Sequence, residues 1–207
     1  MPVIQRLRNL FGRNVFYMVT PEEMPRVGKM TARQLYATQA NLHAVVSFLA
    51  DSVAQLDDDR YKAILDQAAA YNESLNQRLN QFSLTPEQRR AYPDQLNVDG
   101  NGVMGYIEIP SIRCTLPIYH GTAESVLQVA VGHLEWTSLP VGGAGTHCAL
   151  SGHRGLPSAR LFTDLDKMEL GDTFQITILD RTFTYQVDQI KVVRPNEIDD
   201  VRIIDGA

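Results

Sequence analysis

The sequence contains 207 residues, of which 44% are hydrophobic, and it carries a formal net charge of −5. That length suits one domain with an appendage or two small domains, and the hydrophobic content is sufficient for a packed core. The acidic balance argues against a general nucleic-acid-binding protein, so we expect no nucleic-acid partner. No apolar run reaches the roughly 18 residues that a membrane-spanning helix requires.

Charge divides the chain into a basic leader and an acidic body. Residues 1–35 contain six basic residues and two glutamates, a net charge of +4, so the remaining residues carry −9. Such a leader is compatible with a tail at a membrane surface, but a frayed terminus is the simpler interpretation. We therefore expect residues 1–35 to be poorly ordered, although Val3–Phe11 has the apolar spacing of a short amphipathic helix.

Residues 36–96 predict an N-terminal helical arm. A first helix is expected over Thr31–Leu56, and the three aspartates at 57–59 give a second helix a favourable acidic start. Thr85 followed by Pro86 predicts the cap of a third, short helix. One apolar stripe runs along the arm and indicates packing against a core; it comprises Tyr61, Ile64, Leu65, Ala68, Tyr71, Leu75, Leu79 and Phe82.

Residues 97–207 predict a β-rich body that begins after a turn cluster at Asn97–Gly102. The predicted strands are Val103–Ile109, Leu116–His120, Thr146–Leu150, Thr173–Leu179 and Thr182–Ile190, with a helical segment over Thr122–Val131. The fold class is therefore mainly β with helical additions: a barrel preceded by an α-helical arm. A turn-like end at Gly206 would leave the last hairpin edge unpaired, so we expect further strands to follow.

His153 is the principal candidate for acid–base chemistry. It follows a predicted buried strand and, with Arg154, is flanked by Gly152 and Gly155, which allow a sharp turn at the strand end. An imidazole held at the rim of a sheet is suited to proton transfer near neutral pH. The alternative interpretation is a loop histidine beside a turn.

Two thiols, Cys114 and Cys148, are too few for a disulfide framework, and single buried thiols are favoured over one bridge. Cys148 precedes His153 by five residues, an odd number, so the two side chains would face opposite sides of a continuous strand. Cys114 lies in a predicted connection between strands and has no predicted position relative to His153. Both thiols are expected to be packed small residues rather than nucleophiles.

The remaining titratable residues give weaker signals. His120, His133 and His147 lack the spacings that make a metal site specific, so an unrelated metal-binding barrel is a remote alternative. We expect neither a metal nor a cofactor. Three carboxylates near Lys167 are interpreted as a solvated face; they are Asp164, Asp166 and Glu169.

Four segments of the body resemble class C, or pilus-type, sortases, and the resemblance extends from about Tyr36 to the end. The segments are Met-Gly-Tyr-Ile-Glu-Ile-Pro-Ser-Ile at 104–112, Leu-Pro-Ile-Tyr-His-Gly-Thr at 116–122, Val-Gly-His-Leu-Glu-Trp-Thr-Ser-Leu-Pro at 131–140, and Ser-Gly-His-Arg-Gly-Leu-Pro-Ser-Ala-Arg-Leu-Phe-Thr-Asp-Leu at 151–165. The resemblance implies a sortase β-barrel at 97–207, incomplete at its C-terminal end, behind a helical arm at 36–96.

The resemblance also implies an activity. Sortases of this class are cysteine transpeptidases at the extracytoplasmic, membrane-associated surface of Gram-positive bacteria. They cleave an LPxTG-like sorting signal between Thr and Gly, and a lysine amine of a pilin subunit resolves the thioacyl enzyme into an isopeptide bond. The implied partners are therefore the sorting peptide of pilin subunits and a pilin lysine, and we expect a monomer.

The sequence departs from the family in its catalytic set. The family's histidine corresponds to His153, but its thiol, in a Thr-Leu-x-Thr-Cys strand, and its arginine are both expected beyond Ala207. The chain alone is therefore predicted to be inactive. An anchor before Tyr36 and an Asp-Pro-aromatic lid are not evident in the sequence. The alternative function is a catalytically dead β-barrel that binds a peptide or protein partner.

Overall fold

Four helices belong to the described part of the chain, which in this computed structural model comprises residues 3–9, 15–19, 44–78, 80–154 and 160–192. Helix α1 spans residues 44–54, and the part of its predicted range before residue 44 lies outside the described residues. Helices α2, α3 and α4 span Asp58–Asn76, Pro86–Ala91 and Glu124–Leu127. None of the described helices combines the length and the apolar character that crossing a bilayer demands.

The arm helices begin where their capping residues lie. The Asp57 carboxylate accepts a hydrogen bond from the Arg60 backbone N–H at 2.7 Å, and Asp58 and Asp59 follow in the first turn of α2. At α3, the side chains and backbones of Thr85 and Gln88 form a reciprocal capping box. Both predicted helix starts are therefore confirmed.

Within the described residues, eight strands form a closed barrel in the order β1-β2-β6-β5-β4-β3-β7-β8. Their bounds are Val3–Asn9 (β1), Val15–Val19 (β2), Val103–Ile109 (β3), Cys114–His120 (β4), Val131–His133 (β5), His147–Ser151 (β6), Thr173–Ile178 (β7) and Arg181–Val192 (β8). The pairs β2–β6 and β4–β5 are parallel, and the other pairs are antiparallel. The predicted class, mainly β with helical additions, is confirmed, and the last predicted hairpin is β7–β8.

Three strands were not predicted. Strand β5 is only three residues long, and β1 and β2 form an N-terminal hairpin between β8 and β6. The apolar spacing over Val3–Phe11 allowed a short amphipathic helix, but residues Val3–Asn9 form a strand. The reason is non-local: the open edges of β6 and β8 carry backbone donors and acceptors, which the hairpin pairs.

The arm packs onto the barrel through one continuous hydrophobic core. Ala68, Tyr71 and Leu75 of α2 are buried in it, which confirms the predicted apolar stripe. The Asn72 side chain lies at the junction: its amide donates to the Leu139 carbonyl at 3.1 Å and its carbonyl accepts from the Leu139 N–H at 2.7 Å. A buried side chain that satisfies both groups of one backbone residue fixes the arm at a defined position.

Candidate active site

His153 lies two residues beyond the end of β6, in a turn whose shape is fixed by Phe162. A methyl group on Gly152 would lie 2.5 Å from Cδ2 of the fully buried Phe162 ring, so only glycine fits there. The Phe162 N–H also donates to the His153 carbonyl at 3.1 Å. The backbone therefore holds the imidazole at the rim of the barrel, as the sequence predicted.

The His153 ring is shielded from water but has no hydrogen-bond partner. The residue is 2% exposed, and neither Nδ1 nor Nε2 is hydrogen-bonded in the described structure. Burial lowers the pKa of His153, and the negative charge of Glu124 opposes that effect. The Glu124 Oε2 atom lies 3.9 Å from Nε2. A buried imidazole with two uncommitted nitrogens is able to accept or donate a proton to a group brought to the rim.

Both thiols are buried and free, as predicted. Cys148 lies within β6, where burial raises its pKa well above the ordinary value for a thiol. Cys114 was expected in a connection but is the first residue of β4, because Arg113 before it adopts a left-handed conformation (φ 51°) that ends the preceding turn. Neither thiol is hydrogen-bonded to the His153 ring.

Cys114 is poorly suited to nucleophilic chemistry. Its Sγ donates to the Leu161 carbonyl at 3.6 Å, and burial raises its pKa to about 12. The thiolate is the reactive form of cysteine, and these surroundings keep the thiol protonated at neutral pH. The structure therefore does not bring together a thiolate and an imidazole from the described residues.

The ring nitrogens of His133 and His120 lie within hydrogen-bond distance of other groups of the protein. The His133 Nε2 lies 2.9 Å from the Ser138 carbonyl, to which it donates, and Nδ1 accepts from the Tyr92 hydroxyl at 2.9 Å. Burial lowers the pKa of His133 to about 4. The ring nitrogens of His120 face the carbonyls of Gly102 and Gln95 at 2.9 and 2.7 Å.

The described residues contain no group of three or more His, Cys, Asp or Glu side chains arranged to hold a metal ion. The trio of His120, His133 and His147 therefore does not form such a group. Asp164 and Asp166 lie in a surface ion-pair cluster, with Asp164 paired to Arg160 and Lys167 and Asp166 paired to Arg154. Hydrogen bonds from Lys167 and Arg160 lower the pKa of Asp164. The interpretation of these carboxylates as a solvated face agrees with this arrangement.

Two cavities lie against the helical arm rather than at the histidine rim. One, of about 710 Å³, is lined by Arg78 and Gln88 among others, and one of about 540 Å³ lies near Tyr61 and Asp180. Neither is lined by His153. The contact between Glu124 and His153 was not predicted from the sequence, because it depends on the pairing of strand β5 with β4 and β6.

Comparison with known proteins relates this chain to a family. A family model described as the sortase domain matches residues 107–206. Among curated proteins, sortase D of Bacillus subtilis is 30% identical over 138 residues, covering 67% of this chain and 59% of that protein. Sortase A of Listeria monocytogenes is 28% identical over 102 residues, covering 49% of this chain and 45% of that protein. The chain thus spans roughly half the length of the curated relatives it matches.

Solved structures give a closer match. Sortase C1 of Streptococcus agalactiae is 47% identical with a TM-score of 0.75, covering 78% of this chain and 83% of that one. Sortase C of Streptococcus pneumoniae is 40% identical with a TM-score of 0.68, covering 78% and 82% of the two chains. The fold of this chain is therefore similar to that of class C sortases. The chain belongs to the sortase family.

Proposed function

We propose that this chain is the histidine-bearing part of a pilus-type, class C sortase. The enzyme would cleave an LPxTG-like sorting signal between Thr and Gly and join pilin subunits through a lysine isopeptide bond at the cell surface. The observation that carries the proposal is the buried His153 imidazole, whose two nitrogens are not hydrogen-bonded, within a fold similar to two streptococcal class C sortases. The S. pneumoniae structure is itself described in terms of pilin substrate specificity.

His153 is the acid and base of the proposed reaction. A thiolate attacks the carbonyl carbon of Thr, and the imidazolium gives its proton to the departing Gly amine, which leaves a thioacyl enzyme. The amine of a pilin lysine then attacks the thioester, loses a proton to the imidazole, and forms the isopeptide bond as the thiolate departs. An arginine steadies the negative charge on the carbonyl oxygen in both steps.

The proposal assigns the thiolate and the arginine to a strand outside these 207 residues. Cys114 and Cys148 are buried, their pKa values are raised, and neither is hydrogen-bonded to the His153 ring. General acid–base assistance contributes about 10²–10⁴-fold to a reaction and has nothing to act on when no thiolate is present. We therefore expect the 207-residue chain alone to be inactive.

Incubation of the chain with an LPxTG-type peptide and hydroxylamine tests this expectation. Hydroxylamine captures a thioacyl enzyme as a peptide hydroxamate, and we expect no hydroxamate by mass spectrometry. Hydroxamate formation that disappears in Cys114→Ala or Cys148→Ala would show that an internal thiol is the nucleophile, and would overturn this part of the proposal.

The coding DNA beyond the codon for Ala207 tests the remainder. A Thr-Leu-x-Thr-Cys segment there supports the proposal, and the extended chain should form hydroxamate at a rate that His153→Ala lowers by about 10²-fold or more. His43→Ala, which changes a histidine of the predicted arm helix, is the matched control and should retain the rate. Unrelated downstream sequence, together with binding of the sorting peptide by the 207-residue chain, would instead favour a catalytically dead binding barrel.

A further inference from the structure

The carboxylate of Glu124 is the charged group that faces the His153 ring. Its Oε2 atom lies 3.9 Å from Nε2, and 59% of the Glu124 side chain is exposed, against 3% of the His153 side chain. The negative charge favours the protonated ring and so acts against the larger effect of burial on the pKa of His153. When the His153 ring is protonated, the Glu124 carboxylate therefore lies beside it as a counter-charge.

The backbone holds Glu124 near the end of β6 through the strand between them. Strand β5 pairs with β6, with Gly132 opposite Ser151. The loop before α4 lies directly on this strand: a methyl group on Gly132 would be 2.2 Å from the Gly121 carbonyl oxygen. The Gly121 N–H also donates to the buried Tyr92 hydroxyl at 3.0 Å. Helix α4 begins three residues later, so its first residue is carried to the histidine rim by a fixed loop.

The carboxylate is also oriented by its own helix. The Gln128 side-chain amide, four residues along, donates to Glu124 Oε1 at 3.2 Å. That bond engages one carboxylate oxygen and leaves the other, Oε2, on the side of the His153 ring. The contact therefore involves a carboxylate whose backbone and side-chain positions are both restrained.

The other charged side chains of the rim are neutralised by one another. Arg154 is paired with Asp166, and Arg160 and Lys167 are both paired with Asp164. These pairs lie on the segment that follows His153, whereas Glu124 is the first residue of α4. In the described structure the charge of Glu124 raises the pKa of the His153 ring, against the larger lowering by burial.

We propose that Glu124 is a positioning residue for His153, whose carboxylate holds the protonated imidazole in place and keeps the proton on its ring. The inference rests on the proposed acid–base role of His153. In that role the ring must stay protonated until the leaving amine takes the proton, although burial favours the neutral ring. A negative charge near Nε2 favours the protonated ring and leaves Nδ1 without a hydrogen bond.

The test is an NMR titration of the histidine ring resonances in the 207-residue chain. His153 is assigned by its disappearance in His153→Ala, and its titration midpoint is measured in the wild type, Glu124→Gln and Glu124→Asp. We expect Glu124→Gln to move the midpoint to lower pH, because the neutral amide no longer favours the imidazolium. We expect Glu124→Asp, which restores the charge on a shorter side chain, to recover part of that shift.

Glu87→Gln is the matched control, because Glu87 is also an exposed glutamate in the first turn of a short helix, α3, and pairs with Arg90. It should leave the His153 midpoint unchanged. A wild-type midpoint in Glu124→Gln, or no recovery in Glu124→Asp, would overturn the inference. The titration requires no turnover, so its outcome is separate from the hydroxamate assay, which addresses the proposed transpeptidase activity.

Discussion

Two buried histidines at the ends of neighbouring strands have opposite surroundings. His133 ends β5 and is fully buried, with Nε2 bound to the Ser138 carbonyl and Nδ1 bound to the Tyr92 hydroxyl. His153 follows β6 and is 2% exposed, yet neither of its ring nitrogens is hydrogen-bonded. The two histidines are therefore both buried and differ in whether their ring nitrogens are hydrogen-bonded.

The helical arm accounts for much of this difference. Tyr92, at the end of α3, carries its hydroxyl to His133 and accepts the Gly121 N–H, and its ring is stacked on the His133 ring with centroids 5.8 Å apart. The arm thus supplies the hydroxyl group that hydrogen-bonds to both His133 and Gly121. At the histidine rim the Glu124 carboxylate is mostly exposed and lies 3.9 Å from His153 Nε2, beyond hydrogen-bond distance.

The largest effect we expect from breaking this contrast is on stability. His133→Ala removes a fully buried ring and the partner of two hydrogen bonds, and should lower the free energy of unfolding by about 3–4 kcal/mol. His153→Ala removes a ring that makes no hydrogen bonds, so relief of an unsatisfied polar group offsets part of the lost packing and we expect about 1 kcal/mol. Urea denaturation followed by circular dichroism measures both.

Equal losses in the two variants would contradict the contrast, because they would show that hydrogen bonding contributes little at His133. Ala149→Gly in β6 is a useful reference for a strand residue without a polar group. Its loss in the free energy of unfolding should lie between those of His133→Ala and His153→Ala, at about 1–2 kcal/mol.

The second expected effect is a pH dependence of stability that belongs to His133. Burial lowers its pKa to about 4 in the folded protein, against an ordinary value of 6.5. As pH falls below about 6.5, unfolded chains take up a proton that the folded protein excludes, so stability is lost until the folded protein also titrates near pH 4. The difference corresponds to about 3 kcal/mol.

Urea midpoints at pH 7 and pH 4.5 measure this loss in the wild type and in His133→Gln. The variant cannot titrate at position 133, so its decline over the same range should be smaller, while the contribution of the other groups is retained. An equally steep decline in His133→Gln would show that His133 is protonated in the folded protein or that other groups dominate.

Much of the fold was predictable because its signals are local. The α2 stripe repeats within one helix, the capping box at Thr85 and Gln88 spans four residues, and the β7–β8 hairpin joins adjacent segments. Strand β5 was missed since three residues carry no periodicity, and β1 was not predicted because its pairing with β8 joins segments from nearly opposite ends of the chain.

The candidate site was predictable in one residue and not in its surroundings. The glycines beside His153 indicate a strand end, but the fit of Gly152 against Phe162 and the approach of Glu124 arise from packing between distant segments. No spacing in the sequence relates residue 124 to residue 153. The catalytic role of His153 itself stays a prediction.

The last effect we expect tests whether the turn that holds His153 is as rigid as the buried surroundings of His133. Gly152→Ala places a methyl group 2.5 Å from the Phe162 ring, which is fully buried and has no room to withdraw, so we expect a loss of about 2 kcal/mol. Phe162→Leu provides space at the same point, so the double variant should lose less than the two single losses combined, as urea denaturation would show. Strictly additive losses would mean that the turn relaxes around the added methyl group, and that the position of His153 is set by something other than the contact between Gly152 and Phe162.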